Sequence, residues 1–312
     1  MTLAFDPTTG LVSPLVHGLF QGSAYGLLGL GLVLLYKSNR IFNFAQGEFA
    51  GVAALVAYLF DTGSKGLPKV PYAVAILLGV AAAVLVALLT ERLVVRPMFH
   101  RPRVVLLVGT VGVALFLIAV EGLVYQDIAA LRPIDQALSI DPIFTRLDRV
   151  PVLWSDLAKL IMLLALAAAA FLFFRLSRMG TAILAVSQDA TAARAVGISV
   201  ERTSMLAWGL AGLTGGIAGV LLAVPPFSTT PGIFTGTILT TAFAAAVVGG
   251  ITSLPGAFVG GVLVGLVQEF ASADLPLVPG LGSIRGGGEL AVAIVLLGIL
   301  LVRPKGLLGS ET

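Results

Sequence analysis

The sequence predicts an all-α fold: a polytopic transmembrane helical bundle of about eight or nine spans with an internal repeat and a cytoplasmic coupling helix. Three observations carry the bundle. Of 312 residues, 58% are hydrophobic and only 11% are charged, with a mean hydropathy of +1.04. A soluble domain carries roughly 25% charged residues, so a chain this poor in charge cannot cover a water-facing surface. Apolar stretches long enough to cross a hydrocarbon core, which takes roughly 17–25 residues, recur along the whole length. The charges then sort by side: when the connections between stretches alternate, twelve of the nineteen basic residues fall on one side.

The elements follow in chain order. Spans are placed near 11–36, 41–60, 70–90, 104–126, 157–176, 203–224, 235–250, 254–271 and 288–302. The basic side holds Lys37, Arg40, Arg92, Arg96, Arg101, Arg103, Arg175, Arg178, Arg194, Arg202, Arg303 and Lys305. The other holds seven basic residues matched by eight aspartates, among them Asp127, Asp135, Asp141, Asp148 and Asp156. The positive-inside tendency makes the basic side cytoplasmic, with the N-terminus outside and the C-terminus inside. No basic residue precedes the first apolar stretch, so no cleavable signal peptide is expected. The whole chain, 1–312, reads as one transmembrane domain.

Two connections are long. The outer one, 127–156, is rich in Asp and in prolines (Pro133, Pro142, Pro151), which argues against long regular structure. The cytoplasmic one, 177–202, has Ile183, Val186 and Ala190 at helical spacing, continued by Ala192, Ala193 and Val196. Ser187, Gln188 and Asp189 supply a helix start and Gly197 a stop, so a short amphipathic helix is predicted over about 188–196, lying along the membrane surface. The chain also resembles itself weakly. Residues 40–59 and 249–270 each place a polar cap before a Gly-aromatic pair, Gly47 with Phe49 and Gly256 with Phe258, and then a helix of small residues. Repeats of this kind mark transporters, in which related halves flank a pathway. The repeat is parallel, or one helix is broken and miscounted.

The candidate pathway residues lie at the two repeat starts. Asn43 and Gln46 have capping-box spacing, Phe44 sits between them, and Glu48 falls in the first turn, where the helix dipole favours a carboxylate. The plain reading is a capped helix end at the interface; the functional one is a broken helix whose terminus faces the pathway. Thr252 and Ser253 cap the counterpart, with Pro255 in its first turn. Six Gly-x-x-x-Gly pairs (22/26, 47/51, 212/216, 215/219, 256/260 and 261/265) predict closely packed helices. The acids Glu48, Glu121, Glu269 and Glu289 lie near span ends, which favours interfacial carboxylates reaching water over pathway residues.

Several chemistries are excluded. There is no Cys, and His17 and His100 have no ligand-spaced partner, so no metal site is expected. No phosphate-binding loop is present and no nucleophile–base set can be placed, so the chain is not an enzyme; if ATP is used, another subunit binds it. Nucleic acid is not among the expected partners.

The cytoplasmic segment Gly180-Thr181-Ala182 … Ala185-Val186-Ser187-Gln188-Asp189 … Ala192-Ala193-Arg194-Ala195-Val196-Gly197-Ile198 resembles the coupling loop of ABC importer permeases. It is similar in particular to the branched-chain amino acid permease family, and to the first of the two permeases such systems use. Residues 26–49, 244–265 and Arg303-Pro304-Lys305-Gly306-Leu307 resemble that family's further signatures, so the likeness spans most of the chain. It implies a complex with a second homologous permease, two cytoplasmic ATPases that bind ATP and Mg, and an extracytoplasmic substrate-binding protein, set in the lipid of a bacterial inner membrane. By this resemblance the coupling contacts would be Ser187, Gln188, Asp189, Ala192, Ala193, Arg194 and Gly197. Ser187 and Gln188 stand where acidic residues are common in such loops. Members of that family carry leucine, isoleucine and valine, and close relatives urea, short amides, other amino acids or aromatic acids, so the resemblance implies branched-chain or related amino acids as the cargo, with urea or short amides as the alternative. A stand-alone secondary transporter explains the spans and repeat but leaves the cytoplasmic helix without a purpose.

Overall fold

In the computed structural model, residues 11–125, 142–147, 150–223, 230–273 and 286–309 are described. Nine apolar helical segments form the bundle, each coinciding with a predicted span. They are α1 (Val12–Asn39), α2 (Gln46–Thr62), α3 (Tyr72–Thr90), α4 (Arg103–Tyr125), α5 (Trp154–Leu176), α8 (Val200–Leu222), α9 (Leu239–Gly249), α10 (Leu254–Ser272) and α11 (Gly287–Val302). Two short helices, α6 (Arg178–Gln188) and α7 (Ala190–Ala195), lie between α5 and α8. Two helices run on through wider π turns: α3 continues through Glu91–Val95, and α9 is preceded by Phe234–Ile238. Among the described residues, six helices are long and apolar enough by themselves to cross a membrane, and the segments Phe234–Gly249 and Gly287–Val302 are shorter apolar helices.

The long 127–156 connection holds only short regular structure among its described residues before α5. Within it, β1 (Pro142–Leu147) and β2 (Val150–Leu153) pair as an antiparallel hairpin, Pro142 opposite Leu153 and Leu147 opposite Val150. Pro142 and Pro151 each remove one donor, and the ladder between Pro142 and Leu147 is correspondingly irregular. Pro133, Asp127, Asp135, Asp141 and Asp148 lie outside the described residues.

Small residues set how the helices pack. In lipid there is little hydrophobic gain between helices, so association depends on close backbone approach. A Cβ added at Gly22 would lie 2.6 Å from the Gly261 carbonyl oxygen, and one at Gly261 would lie 2.5 Å from Gly26 Cα. The pairing of Gly18 with Leu266, Gly22 with Gly261 and Gly26 with Ala257 shows that α1 and α10 run antiparallel. On α8, Gly212 and Gly216 meet Ala83 of α3, and Gly219 meets the backbone of Ala50 on α2. Around these seams the core holds Phe49 and Trp208, ring edge to face at 6.2 Å. α3, α4 and α5 instead present exposed apolar side chains such as Leu77, Leu85, Leu115, Phe116 and Leu172. On a chain of this composition, such faces are fit for lipid or another membrane subunit.

Lys37, Arg40 and the tail with Arg303 and Lys305 meet at one end of the bundle, the basic end, while Lys65 and Lys69 follow the opposite end of α2. Lys37 Nζ donates to the Thr252 carbonyl at 3.2 Å, and Asn39 Nδ2 donates to Ser204 Oγ at 3.2 Å. The tail folds back there, Leu307 N donating to the Val248 carbonyl at 2.8 Å. These contacts tie the end of α1, the starts of α8 and α10, and the segments after α9 and α11 into one rim.

Candidate functional site

The first site grows from the way α1 ends. Arg40 takes a left-handed conformation (φ 54°) while its N–H donates to the Tyr36 carbonyl, closing the helix. Residues 41–45 then run without helical structure, buried at Ile41, Asn43 and Ala45. Non-helical backbone inside a bundle must find its hydrogen bonds from neighbours. Asn43 Oδ1 accepts from Ala45 N at 3.0 Å, and Phe44 N donates to Thr110 Oγ1 at 3.2 Å. Asn43 Nδ2 donates to Gln46 Oε1 at 3.4 Å, and Gln46 Nε2 donates to the Ala211 carbonyl at 2.9 Å. The expected capping box is therefore not formed. Ala45 is the cap of α2 and has no side-chain cap bond. Gln46 is drawn across to α8 instead, because an unmade bond at a fully buried amide costs more than an uncapped helix end.

α2 thus starts inside the bundle, and its first turn meets another helix start. A Cβ at Gly47 would lie 2.7 Å from both the Phe234 carbonyl oxygen and Thr235 Oγ1. Packing fixes the directions. α2 is parallel to α8 (Gly215 against Gln46, Gly219 against Ala50), and α9 is antiparallel to α10 (Gly249 against Gly256, Gly260 against Ala245). Since α1 is antiparallel to both α8 and α10, α2 and the Phe234–Gly249 helix run in opposite directions and meet at their N-terminal turns. The positive ends of two helix dipoles are therefore brought together inside the protein.

Two acids stand at this junction. Glu48 of α2 is 0% exposed and Glu121 of α4 is 3% exposed, so neither reaches water as span-end carboxylates would. A Cβ at Gly51 would lie 2.5 Å from Glu121 Oε1 and 3.1 Å from Glu48 Oε2, so both carboxyls occupy the space that this glycine leaves. Both oxygens of Glu48, one of Glu121, and Thr235 Oγ1 are buried without a hydrogen-bond partner. Glu269 is half-buried and Glu289 exposed, well apart from this pair in the fold.

Thr252 and Ser253, expected as the counterpart of Asn43–Glu48, lie elsewhere. Ser253 Oγ accepts from Gly256 N at 3.1 Å and caps α10 at the basic end, where Lys37 reaches the Thr252 carbonyl. The partner of the α2 start is Phe234–Thr235. Among the described residues no three His, Cys, Asp or Glu side chains gather to hold a metal ion.

The second site is at the basic end. A helix over 188–196 was expected; it forms as α7 over Ala190–Ala195, and a separate helix, α6, runs up to Gln188 ahead of it. Ser187 and Gln188 finish α6, and Asp189 turns to an extended conformation, its Oδ1 accepting from Thr191 N at 2.8 Å and Ala192 N at 3.0 Å to cap α7. Ser177 caps α6 in the same way. Gly197, at φ 86°, ends α7: its N–H donates to the Arg194 carbonyl, and Ile198 N donates to that of Ala193. That bond pair needs a left-handed residue, which suits glycine.

Ile183 and Val186 face inward as expected, and Ala193 packs with Val186 and Val200, flanked by Phe99 and Ile198. Ala190 and Val196 depart from the predicted stripe and are exposed, Val196 at 77%. Gln188, Asp189, Ala192, Arg194 and Gly197 are also exposed, and Arg194 pairs with Glu201 at 3.0 Å. α7 is a knob held to the bundle by one alanine, with every other residue open.

Closely packed apolar helices, two helix starts meeting beside buried acids, and a structured knob beyond the bundle define a polytopic membrane permease. A family described as the permease component of the branched-chain amino acid transport system matches residues 15–302. A probable branched-chain amino acid transport permease protein LivH of Methanocaldococcus jannaschii is 31% identical, over 91% of this chain and 88% of its own length. The high-affinity permease proteins LivH of Escherichia coli K12 and BraD of Pseudomonas aeruginosa are 27% and 29% identical, over 94% and 95% of this chain and 94% of each relative. The chain belongs to the branched-chain amino acid transport system permease family.

Proposed function

We propose that this chain is one of two homologous permease subunits of an ATP-driven importer for branched-chain or related amino acids. Two ATPases on the basic side bind ATP and Mg, and a soluble binding protein delivers the cargo on the other. The basic end faces the cytoplasm of a bacterial inner membrane, which puts the N-terminus outside and the C-terminus inside. The observation that carries this reading is the α7 knob. A six-residue helix capped at both ends, yet packed on the bundle through Ala193 alone, has little role within the subunit. It fits a groove of a partner whose closure would pull on it and move the bundle. Asp189 and Arg194 supply polar contacts, and Ala192 and Gly197 permit close approach. The names of the relatives support the cargo class.

The test is co-purification from mild detergent. Two ATPases and a second permease should come with the tagged protein and be lost when Asp189–Gly197 is replaced by a Gly/Ser linker. Recovery of the chain alone, with ATP-independent transport in liposomes, would make it a secondary carrier.

A further inference from the structure

We infer that Glu48 and Glu121 receive the ammonium group of the amino acid in transit, a site that rests on the importer reading and specifies which part of the cargo this chain recognises. The two carboxyls come from α2 and α4 and share the space above Gly51, both sealed from solvent. The rest of the chain shows what a purely structural arrangement looks like. Glu91, like Glu48 0% exposed, is paired with Arg96 at 3.0 Å. Gln46, two residues before Glu48, has both ends of its amide bonded. Glu48 and Glu121 have no cation beside them among the described residues; their polar neighbours are each other, Thr235 and the Gly232 backbone, and three of their oxygens have no partner in good hydrogen-bond geometry. Buried carboxyls left without donors are costly, and a bound cation with N–H groups removes that cost.

The geometry selects the kind of cation. Two carboxyls and the Thr235 hydroxyl bring five side-chain oxygens to this junction, fewer than the six to eight that calcium takes. An ammonium group, with one charge and three N–H donors, matches such a cradle. The same place also suits the other charge of a zwitterion. The first turns of α2 and of the Phe234–Gly249 helix converge beside the acids, and backbone N–H groups at helix starts bind carboxylates. In a bundle interior, joined half-helices of this kind are where transported solutes are held. The side chain of the cargo would then be left to apolar surroundings, which is why one pathway could pass several amino acids.

The test begins with the complete complex in liposomes and ATP-driven uptake of radiolabelled leucine. Glu48→Gln and Glu121→Gln should each lower uptake by at least about tenfold while still co-purifying with the partner subunits. No ATP-driven uptake by the wild type overturns the importer reading. Wild-type uptake that persists in both variants overturns the ammonium site alone. A second readout does not depend on transport, because the chain contains no cysteine. In Glu121→Cys, the single thiol should react at least about tenfold faster with an aminoethyl than with a sulfonatoethyl methanethiosulfonate, each relative to a free thiol. Glu48→Gln should abolish that preference, and leucine should slow the reaction. Equal rates with the two reagents, or no protection by leucine, overturn the site even where a glutamine variant fails to assemble.

Discussion

Asp189→Ala tests the α7 knob with a magnitude that the structure supplies. α7 has six residues, too few to be stable without external support. Its support is a short inventory: two bonds to Asp189 Oδ1, the closing bonds at Gly197, the burial of one alanine side chain, and the exposed Arg194–Glu201 pair. Removing an N-cap side chain costs about 1 kcal/mol, which corresponds to about a fivefold shift in the fraction of α7 that is formed, since 1.4 kcal/mol is tenfold. Amide exchange at Thr191–Ala195 should accelerate by about that factor, and ATP-driven uptake should fall with it. The bundle should not notice, because α7 contributes only Ala193 to a small satellite cluster. Thermal unfolding followed through the helical signal should therefore stay unchanged. Asp189→Asn, which retains the cap, separates ordering of the knob from contact with the ATPase through charge: normal exchange with lost uptake assigns the charge to the contact. Unchanged exchange in Asp189→Ala, or a fall in thermal stability as large as that of a core variant, would refute the reasoning.

Three further outcomes follow from packing and pairing. Gly219→Ala would push a methyl into the backbone of Ala50, where overpacking costs about 1–3 kcal/mol; the unfolding midpoint should fall, and an unchanged midpoint would mean that α2 and α8 can separate freely. Arg96→Met leaves Glu91 buried without its cation, a loss of about 3–5 kcal/mol, and Glu91→Gln added to it should restore much of the stability. Gln46→Leu breaks the bond to the Ala211 carbonyl, which Thr214 Oγ1 still fills, and strands the buried Asn43 Nδ2, at a cost of about 1–3 kcal/mol; protease cleavage within 40–46 should increase, and resistance equal to wild type would show that the non-helical segment is held by other means.

Local composition was enough to locate the membrane-spanning helices. Each apolar stretch became a helix because a buried backbone in lipid has no other economical way to satisfy its polar groups. The alternation of basic connections likewise appears in the fold as one basic rim, tied together by Lys37, Asn39 and Leu307. The Gly-x-x-x-Gly pairs were legible for the same reason, since a missing side chain is a local fact whatever helix comes to fill the gap. The caps were read less well. Ser253 capped its helix as expected, whereas Asn43 and Gln46 had the right spacing but made their bonds with Ala45 and Ala211. At 188–196 the predicted helix formed, but it starts two residues late because Asp189 turns extended and bonds forward to Thr191 and Ala192, and the helix ahead of it, α6, was not foreseen.

The acid pair was beyond the sequence altogether. Glu48 and Glu121 each looked like a span-end carboxylate, and nothing in either neighbourhood announces the other across 73 residues of chain (121 − 48). Nor does Phe234–Thr235 carry any mark that it will meet Gly47; the repeat pointed to Thr252 and Ser253 instead. What the sequence determined alone is what depends on the solvent and on near neighbours: spans, their alternation, small-residue seams and the turn at Gly197. What only the tertiary structure decided is which helix starts lie end to end and which buried carboxyls are left without partners. Those depend on the directions and depths at which separate helices pack, and packing distance is not encoded in the residues on either side of one position.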